Sequence, residues 1–114
     1  MDQTPHLDPA ALERLRRLGG DEFTLKMTNL FLSYGAQKIG EARHAFDAAN
    51  LAAVAKAVHP IKSSAGNVGA LQVQDLATRV EQLALQSQAE PLAVLLGELE
   101  QAFARVKIEL DKKP

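Results

Sequence analysis

Apolar side chains recur every three or four residues along most of the chain, a spacing typical of amphipathic helices. Asp8-Pro9 is a favoured helix start and Gly19-Gly20 a favoured stop, so the pattern predicts a short first helix between them. Asp21 is suited to cap a long second helix. The apolar stripe of that second helix comprises Phe23, Met27, Leu30, Phe31, Tyr34, Ile39, Ala42 and Phe46.

Three further helices follow at short intervals. Asn50 is a good cap for a third helix that runs from Leu51 to about Gly66-Asn67. A fourth is predicted over about 73–88, and Glu90-Pro91 opens a fifth. Because short loops force neighbouring helices to run antiparallel, the sequence predicts an all-α fold: an up-down-up-down four-helix bundle with a short additional N-terminal helix over one end. We expect residues 1–114 to form one domain, with its core roughly over 8–111.

Composition excludes several classes of protein. The chain has no cysteine, which excludes disulfides, thiol catalysis and zinc–thiolate sites. Its net charge of -1, with both signs interspersed, argues against binding to nucleic acid. No apolar run reaches the roughly 18 residues of a membrane span, and the polar, acidic N-terminus does not resemble a signal peptide. We therefore expect a soluble cytoplasmic protein.

The third helix carries two stripes. One is a core seam with three- and four-residue spacing, formed by Leu51, Val54, Val58, Ile61, Ala65 and Val68. The other lies one residue later, about 100° round the helix. It consists of Ala55, His59, Lys62, Ser63 and Gly66. This offset predicts that His59 lies beside the core on a strip that faces solvent.

The neighbours of His59 are unusually small for a surface strip. An ordinary surface histidine and a solvated lysine are the simplest interpretation of His59 and Lys62, but Ala55, Ser63 and Gly66 stand where long charged side chains would be expected. Their size leaves the imidazole open to an approaching protein. An ammonium three residues away can offset the charge of a phosphoryl group on the ring, and a serine hydroxyl can donate hydrogen bonds to its oxygens.

The segment HPIKSSAGNVGA closely resembles the active-site signature of histidine-containing phosphotransfer (HPt) domains. The matching residues, in order, are His59, Ile61, Lys62, Ser63, Ser64, Val68, Gly69 and Ala70. The segment LDPAALERLRRLGGDEFTLKMTNLFL resembles the usual opening of these domains, so the likeness covers nearly the whole chain.

The resemblance implies a phosphocarrier in a multistep two-component relay. His59 would accept a phosphoryl group from an aspartyl phosphate of a receiver domain and pass it to an aspartate of another receiver. Lys62 and Ser63 would stabilise its charge, although Ser63 stands where the family often has glycine, and Gly69 and Ala70 would shape the turn into the next helix. The partners would be response-regulator receivers or a hybrid sensor histidine kinase. The receiver would supply Mg²⁺, so we expect this chain to need no cofactor. We also expect it to be a monomer with no kinase activity of its own.

Two other functions are considered. A helical adaptor could keep the fold and bind receiver or kinase domains without carrying phosphate, although such a protein would not need both His59 and Lys62. A metal-binding bundle would require inward carboxylates on several helices. His6, His44 and His59 lie on separate segments without that pattern, so no metal site is predicted.

Two features allow alternative interpretations. Leu25 and Leu32 lie off the main stripe of the second helix, where they either pack against the short first helix or form an exposed patch for docking a partner. Pro60 removes an amide from the third helix. Either the helix continues with a kink, or it breaks and places His59 near a new helix N-terminus. The unchanged phase of the core seam favours the kink.

Overall fold

The computed structural model describes residues 7–111, which form four α-helices and no strand. These are α1 (Pro9–Asp47), α2 (Leu51–Asn67), α3 (Leu71–Leu85) and α4 (Ala89–Asp111). Three-residue connections at 48–50, 68–70 and 86–88 reverse the chain each time. Each helix packs against its neighbour in the chain, and α1 also packs against α4. This arrangement confirms the predicted all-α four-helix bundle.

The first helix is bent where the sequence predicts a boundary. Gly20 adopts φ 84° and ψ -174°, a conformation that essentially only glycine tolerates, and it separates an arm at 9–19 from a long arm at 21–47. The short N-terminal helix is thus present as the first arm of α1. Asp21, the expected cap of the second helix, instead lies 3.5 Å from the Arg16 guanidinium.

Helix starts follow the predicted caps. The Asp8 carboxylate accepts a hydrogen bond from the Ala10 amide at 3.0 Å, with Pro9 in the first helical position. The Asn50 side chain accepts from the Ala53 amide at 3.1 Å and starts α2. Both sequence predictions of a helix start are confirmed.

The core lies between the four helices, but α1 turns a slightly different face to it than the apolar stripe predicts. Leu30 and Tyr34 are 53% and 38% exposed, whereas Thr28 and Gly35 are buried. The ring of Phe103 explains part of this rotation, because a Cβ at position 35 would lie 2.5 Å from its Cε1 atom. α4 therefore packs directly on the α1 backbone at Gly35.

α2 continues without interruption through Pro60, which lies inside the helix. The alternative in which the helix breaks is therefore wrong, and His59 does not lie at a helix N-terminus. Val58 and Ile61 are fully buried on either side of this site, so core packing offsets the roughly 3 kcal/mol that an interior proline costs. Pro60 has no amide hydrogen to donate to the Lys56 carbonyl.

Candidate functional site

His59 lies on the outer side of α2, next to its buried seam. Val58 has no exposed surface, whereas the His59 side chain is 66% exposed. The one-residue offset between seam and strip produces this contrast, because successive helical residues point about 100° apart. The predicted solvent-facing position of His59 is confirmed.

A carboxylate from α3 holds the imidazole. Nδ1 of His59 lies 2.5 Å from Oε2 of Glu81. The other carboxylate oxygen, Oε1, accepts a hydrogen bond from Nζ of Lys62 at 2.5 Å. Glu81 thus joins the two residues that the sequence singled out, and its own side chain is only 13% exposed.

The environment of Glu81 keeps it ionised. Burial alone raises the pKa of this carboxyl, but hydrogen bonds from Lys62 and His59, together with their charges, outweigh it and hold the pKa below its ordinary value. A carboxylate in that state has no proton to donate, so it can only accept hydrogen bonds. The site therefore presents an acceptor to Nδ1 and leaves the rest of the ring open to solvent.

Gly66 allows α3 to approach the backbone of α2. Nε2 of Gln74 donates a hydrogen bond of 3.0 Å to the Lys62 carbonyl. A Cβ at position 66 would lie 2.5 Å from that same nitrogen. In the structure Gly66 therefore makes room for Gln74, which ties the two helices together one turn beyond Lys62.

The other small residues of the strip differ in their positions. Ala55 is buried in the core, so its predicted place on the solvent-facing strip is wrong; it falls on the inner edge of the helix. Ser63 is exposed and its hydroxyl is available to a ligand. Ser64 donates a hydrogen bond of 3.2 Å to the Ile61 carbonyl within its own helix.

Gly69 and Ala70 form the turn into α3. Gly69 has φ 76°, and a Cβ there would lie 2.7 Å from both the Ala11 Cβ and the Asp8 carbonyl oxygen. The Asp8 amide in turn donates to the Gly69 carbonyl at 2.8 Å. These contacts hold the start of α1 against the turn that follows α2, the helix that bears His59.

Leu25 and Leu32 do not form one patch. Leu25 is 58% exposed, whereas Leu32 is partly buried and packs against the core. A groove of about 290 Å³ lies instead between α1 and the C-terminal end of α2. It is lined by Met27, Leu30, Phe31, Tyr34, Ser64, Asn67 and Val68.

Glu81 is the site residue that sequence reasoning missed. It comes 22 positions after His59, on a different helix, so no motif around the histidine contains it. A signal was nevertheless present, because Glu81 directly follows the buried Val80 just as His59 directly follows Val58. On two antiparallel neighbours, residues one step past the seam can meet at the outer edge of the shared interface.

Two further observations concern metals and membranes. Within residues 7–111, no three histidine or acidic side chains lie close enough together to hold a metal ion. His6 lies outside this range. None of the described helices is both long and apolar enough to cross a membrane.

Comparison with known proteins identifies relatives of the fold. The structure superposes on the crystal structure of histidine-containing phosphotransfer protein B (HptB) from Pseudomonas aeruginosa PAO1 with a TM-score of 0.89, at 23% identity, covering 96% of this chain and 95% of that one. A rice protein described as a histidine-containing phosphotransfer protein gives a TM-score of 0.84 at 19% identity, covering 97% and 82%. A search of curated proteins finds no match.

The family model of the Hpt domain matches residues 26–109, which include His59, Lys62 and Glu81. This range covers most of the chain and all of α2 and α3. The resemblance in the segment that follows His59 is thus part of a match that spans the fold. The chain belongs to the Hpt domain family and acts in histidine phosphotransfer within a phosphorelay.

Proposed function

We propose that His59 is the residue that carries the phosphoryl group. The observation that supports this most directly is its exposed ring, which a mostly buried carboxylate contacts at Nδ1 and leaves open elsewhere. A nucleophile needs such an orienting partner and a free path for the incoming group. His44 is also exposed, but the segment that resembles the family's active-site signature begins at His59 and not at His44.

Lys62 and Ser63 would stabilise the added charge. The Lys62 side chain is 30% exposed, and its Nζ already lies at the site through its contact with Glu81. Rotation about its flexible side chain would bring the ammonium to oxygens of a phosphoryl group on the ring. The Ser63 hydroxyl, one turn from His59, would donate to the same oxygens.

The receiver domain would supply the remaining chemistry. A phosphorelay needs an aspartate, and Mg²⁺ to offset the charge of the transferring group, and we place both on the partner. On this proposal the chain is a monomeric cytoplasmic carrier without kinase activity, and it exchanges phosphoryl groups with response-regulator receivers or with a hybrid sensor kinase.

The surface that meets the receiver would include the groove between α1 and α2. Ser64 and Asn67 lie five and eight residues beyond His59, or about 8 to 12 Å along the helix. A specific interface of ordinary size buries about 800 Å² on each partner, which extends well beyond that distance. A receiver that brings its aspartate to His59 therefore also covers Leu30 and Tyr34, whose exposed apolar surface suits such a contact.

Phosphoryl transfer from isolated receivers tests the proposal. The protein is incubated with receivers phosphorylated on aspartate, and label that is acid-labile and alkali-stable is followed. We expect label on the wild type and on His44→Gln but none on His59→Gln. The proposal fails if no receiver labels the wild type, or if His59→Gln takes as much label. A protein that binds receivers but never takes label would instead be an adaptor.

A further inference from the structure

A second recess lies between α1 and α2, beside the N-terminal half of α2, whereas the apolar groove lies beside its C-terminal end. We call it the lysine cleft, and its volume is about 650 Å³. Its charged and polar lining residues are Lys38, Glu41, His44, Asn50 and Lys56. The remaining lining residues are alanines and one glycine, so the side chains of the rim stand over a shallow floor of small residues.

Lys56 gives the lysine cleft a net positive charge. Glu41 accepts hydrogen bonds from Lys38 at 3.3 Å and from Gln37 at 3.1 Å, so the charges of Lys38 and Glu41 offset each other. Lys56 is exposed, and no carboxylate within residues 7–111 forms an ion pair with its Nζ. The sequence of α2 contains no acidic residue at all. The Lys56 ammonium is therefore available to a carboxylate of another molecule.

The lysine cleft is continuous with the face around His59. Lys56 precedes His59 by three residues, so the two side chains are neighbours on one side of α2, about 4.5 Å apart along the helix axis. On α1, Nζ of Lys38 lies 5.6 Å from the centre of the Tyr34 ring, which lines the apolar groove. The cleft, His59 and the groove thus follow one another along the junction of α1 and α2.

We propose that the lysine cleft is a second contact site for the receiver, in which Lys56 pairs with an aspartate or glutamate beside the receiver's reactive aspartate. An interface of ordinary size covers about 800 Å² of each partner, so a receiver seated on His59 reaches the cleft as well as the groove. A charge at the rim of an interface acts mainly on the association rate and on the choice of partner. The same ammonium disfavours a receiver with a basic residue at that point. This inference rests on the proposed receiver partner.

Charge reversal at Lys56 tests the proposal against a matched control. Lys56→Glu and Lys107→Glu lower the net charge equally, but Lys107 is exposed on α4, which packs against α1 and α3. The affinity of each variant for isolated receiver domains is measured by fluorescence anisotropy of the labelled receiver. At about 20 mM salt we expect Lys56→Glu to weaken binding about threefold to tenfold, and at about 500 mM by less than about twofold, because salt screens exposed charges. Lys107→Glu should bind like the wild type at both.

Phosphoryl transfer from the same receivers gives a second readout. The receiver concentration for half-maximal rate should rise in Lys56→Glu by the same factor as the dissociation constant. The maximal rate should stay within about twofold of the wild type, because Lys56 acts on binding and not on the reacting atoms. Equal weakening in the two variants, a loss that persists at high salt, or a fall in the maximal rate alone would each overturn the proposal.

Amide spectra of the wild type decide the question if Lys56→Glu fails to fold. Unlabelled receiver should shift the amide signals of Lys38, Ala53 and Lys56, and unmoved signals would overturn the proposal. Signals that move with the concentration of the carrier alone would assign the cleft to a second copy of this chain and overturn it as well.

The two readouts separate this inference from the proposed role of His59. A protein that binds receivers through Lys56 but never takes label from them would refute the carrier role and leave the lysine cleft intact. A protein that takes label on His59 but shows no effect of Lys56→Glu would refute this inference alone. If no receiver binds the wild type, both proposals fail.

Discussion

At the scale of single residues, Glu81 connects the two parts of the site. Its carboxylate spans α2 and α3, with one oxygen at the imidazole and the other at the ammonium. A mostly buried carboxylate is costly unless its oxygens are paired, and here both are. The same pairing makes the stability of the protein depend on pH.

The depressed pKa of Glu81 predicts the direction of that dependence. A carboxyl whose pKa is lower in the folded state stabilises the fold above its unfolded value, and this contribution is lost as pH falls through the folded value. We expect the free energy of unfolding of the wild type to exceed that of Glu81→Gln near neutral pH, with the difference shrinking as pH falls below about 4.5. Urea unfolding of both proteins across this range measures it. A difference that grows on acidification would contradict the prediction.

Substitution of glycine by alanine should have opposite effects on stability at positions 35 and 40. A Cβ at position 35 meets the Phe103 ring, so Gly35→Ala should destabilise the protein by about 1 to 3 kcal/mol through overpacking. At position 40 a Cβ meets nothing within 4 Å, so Gly40→Ala should stabilise the helix by about 0.5 to 1 kcal/mol. Thermal unfolding measures both effects, and equal shifts in the two variants would be incompatible with the packing described.

At the scale of helices, three ends share one motif. In each, the backbone amide two residues past the C-cap donates a hydrogen bond of 2.8 to 2.9 Å to a carbonyl in the last turn of the helix. The donor and acceptor are Asn50 and Ala45 for α1, Ala70 and Ala65 for α2, and Gln88 and Leu83 for α3. The preceding residue then needs a positive φ. That residue is glycine only after α2, and it is Ala49 after α1 and Ser87 after α3.

Ala49→Gly should therefore stabilise the protein. Alanine at φ 58° carries a steric cost that glycine avoids, so we expect a gain of about 0.5 to 1 kcal/mol in the free energy of unfolding. The control is Ala36→Gly, at an exposed position inside α1, which should lose about 1 kcal/mol. Chemical denaturation of both variants tests the sign, and a loss at position 49 would show that the end of α1 is not strained.

Helix positions could be predicted from sequence better than helix faces could. Asp8, Asn50 and Gly20 mark their boundaries by local chemistry, which needs no knowledge of neighbouring helices. The face of α1 depends on α4, because the Phe103 ring takes the space above Gly35 and turns Leu30 toward solvent. The periodicity of apolar side chains could not predict this, because glycine has no side chain and does not appear in an apolar stripe.

At the scale of the whole molecule, the proposed functional face is assembled from three helices. α2 contributes His59, α3 contributes Glu81, and α1 contributes the exposed Leu30 and Tyr34 beside the groove. The motif on α2 is local and was found from the sequence. Glu81 and the groove depend on the packing of separate helices, so the sequence alone did not reveal them.

The proposed docking surface predicts a position-specific effect of charge. Leu30→Glu places a carboxylate in the apolar contact, so we expect phosphoryl transfer from a receiver to slow by about tenfold, the effect of about 1.4 kcal/mol. Val94→Glu is the matched control, because Val94 is 64% exposed on α4 and lies outside this groove. Rapid-quench measurements at subsaturating receiver compare the two, and equal rates would place the docking surface elsewhere.

The unbroken course of α2 through Pro60 also affects how quickly the protein can bind and release a partner. His59 stands on a helix whose inner side is fixed in the core, so its position is set before any partner arrives. Little conformational entropy is then lost on contact, and binding needs no slow rearrangement of the carrier. A carrier of this kind is suited to brief collisions with successive partners, because neither association nor release waits for the helix to rearrange.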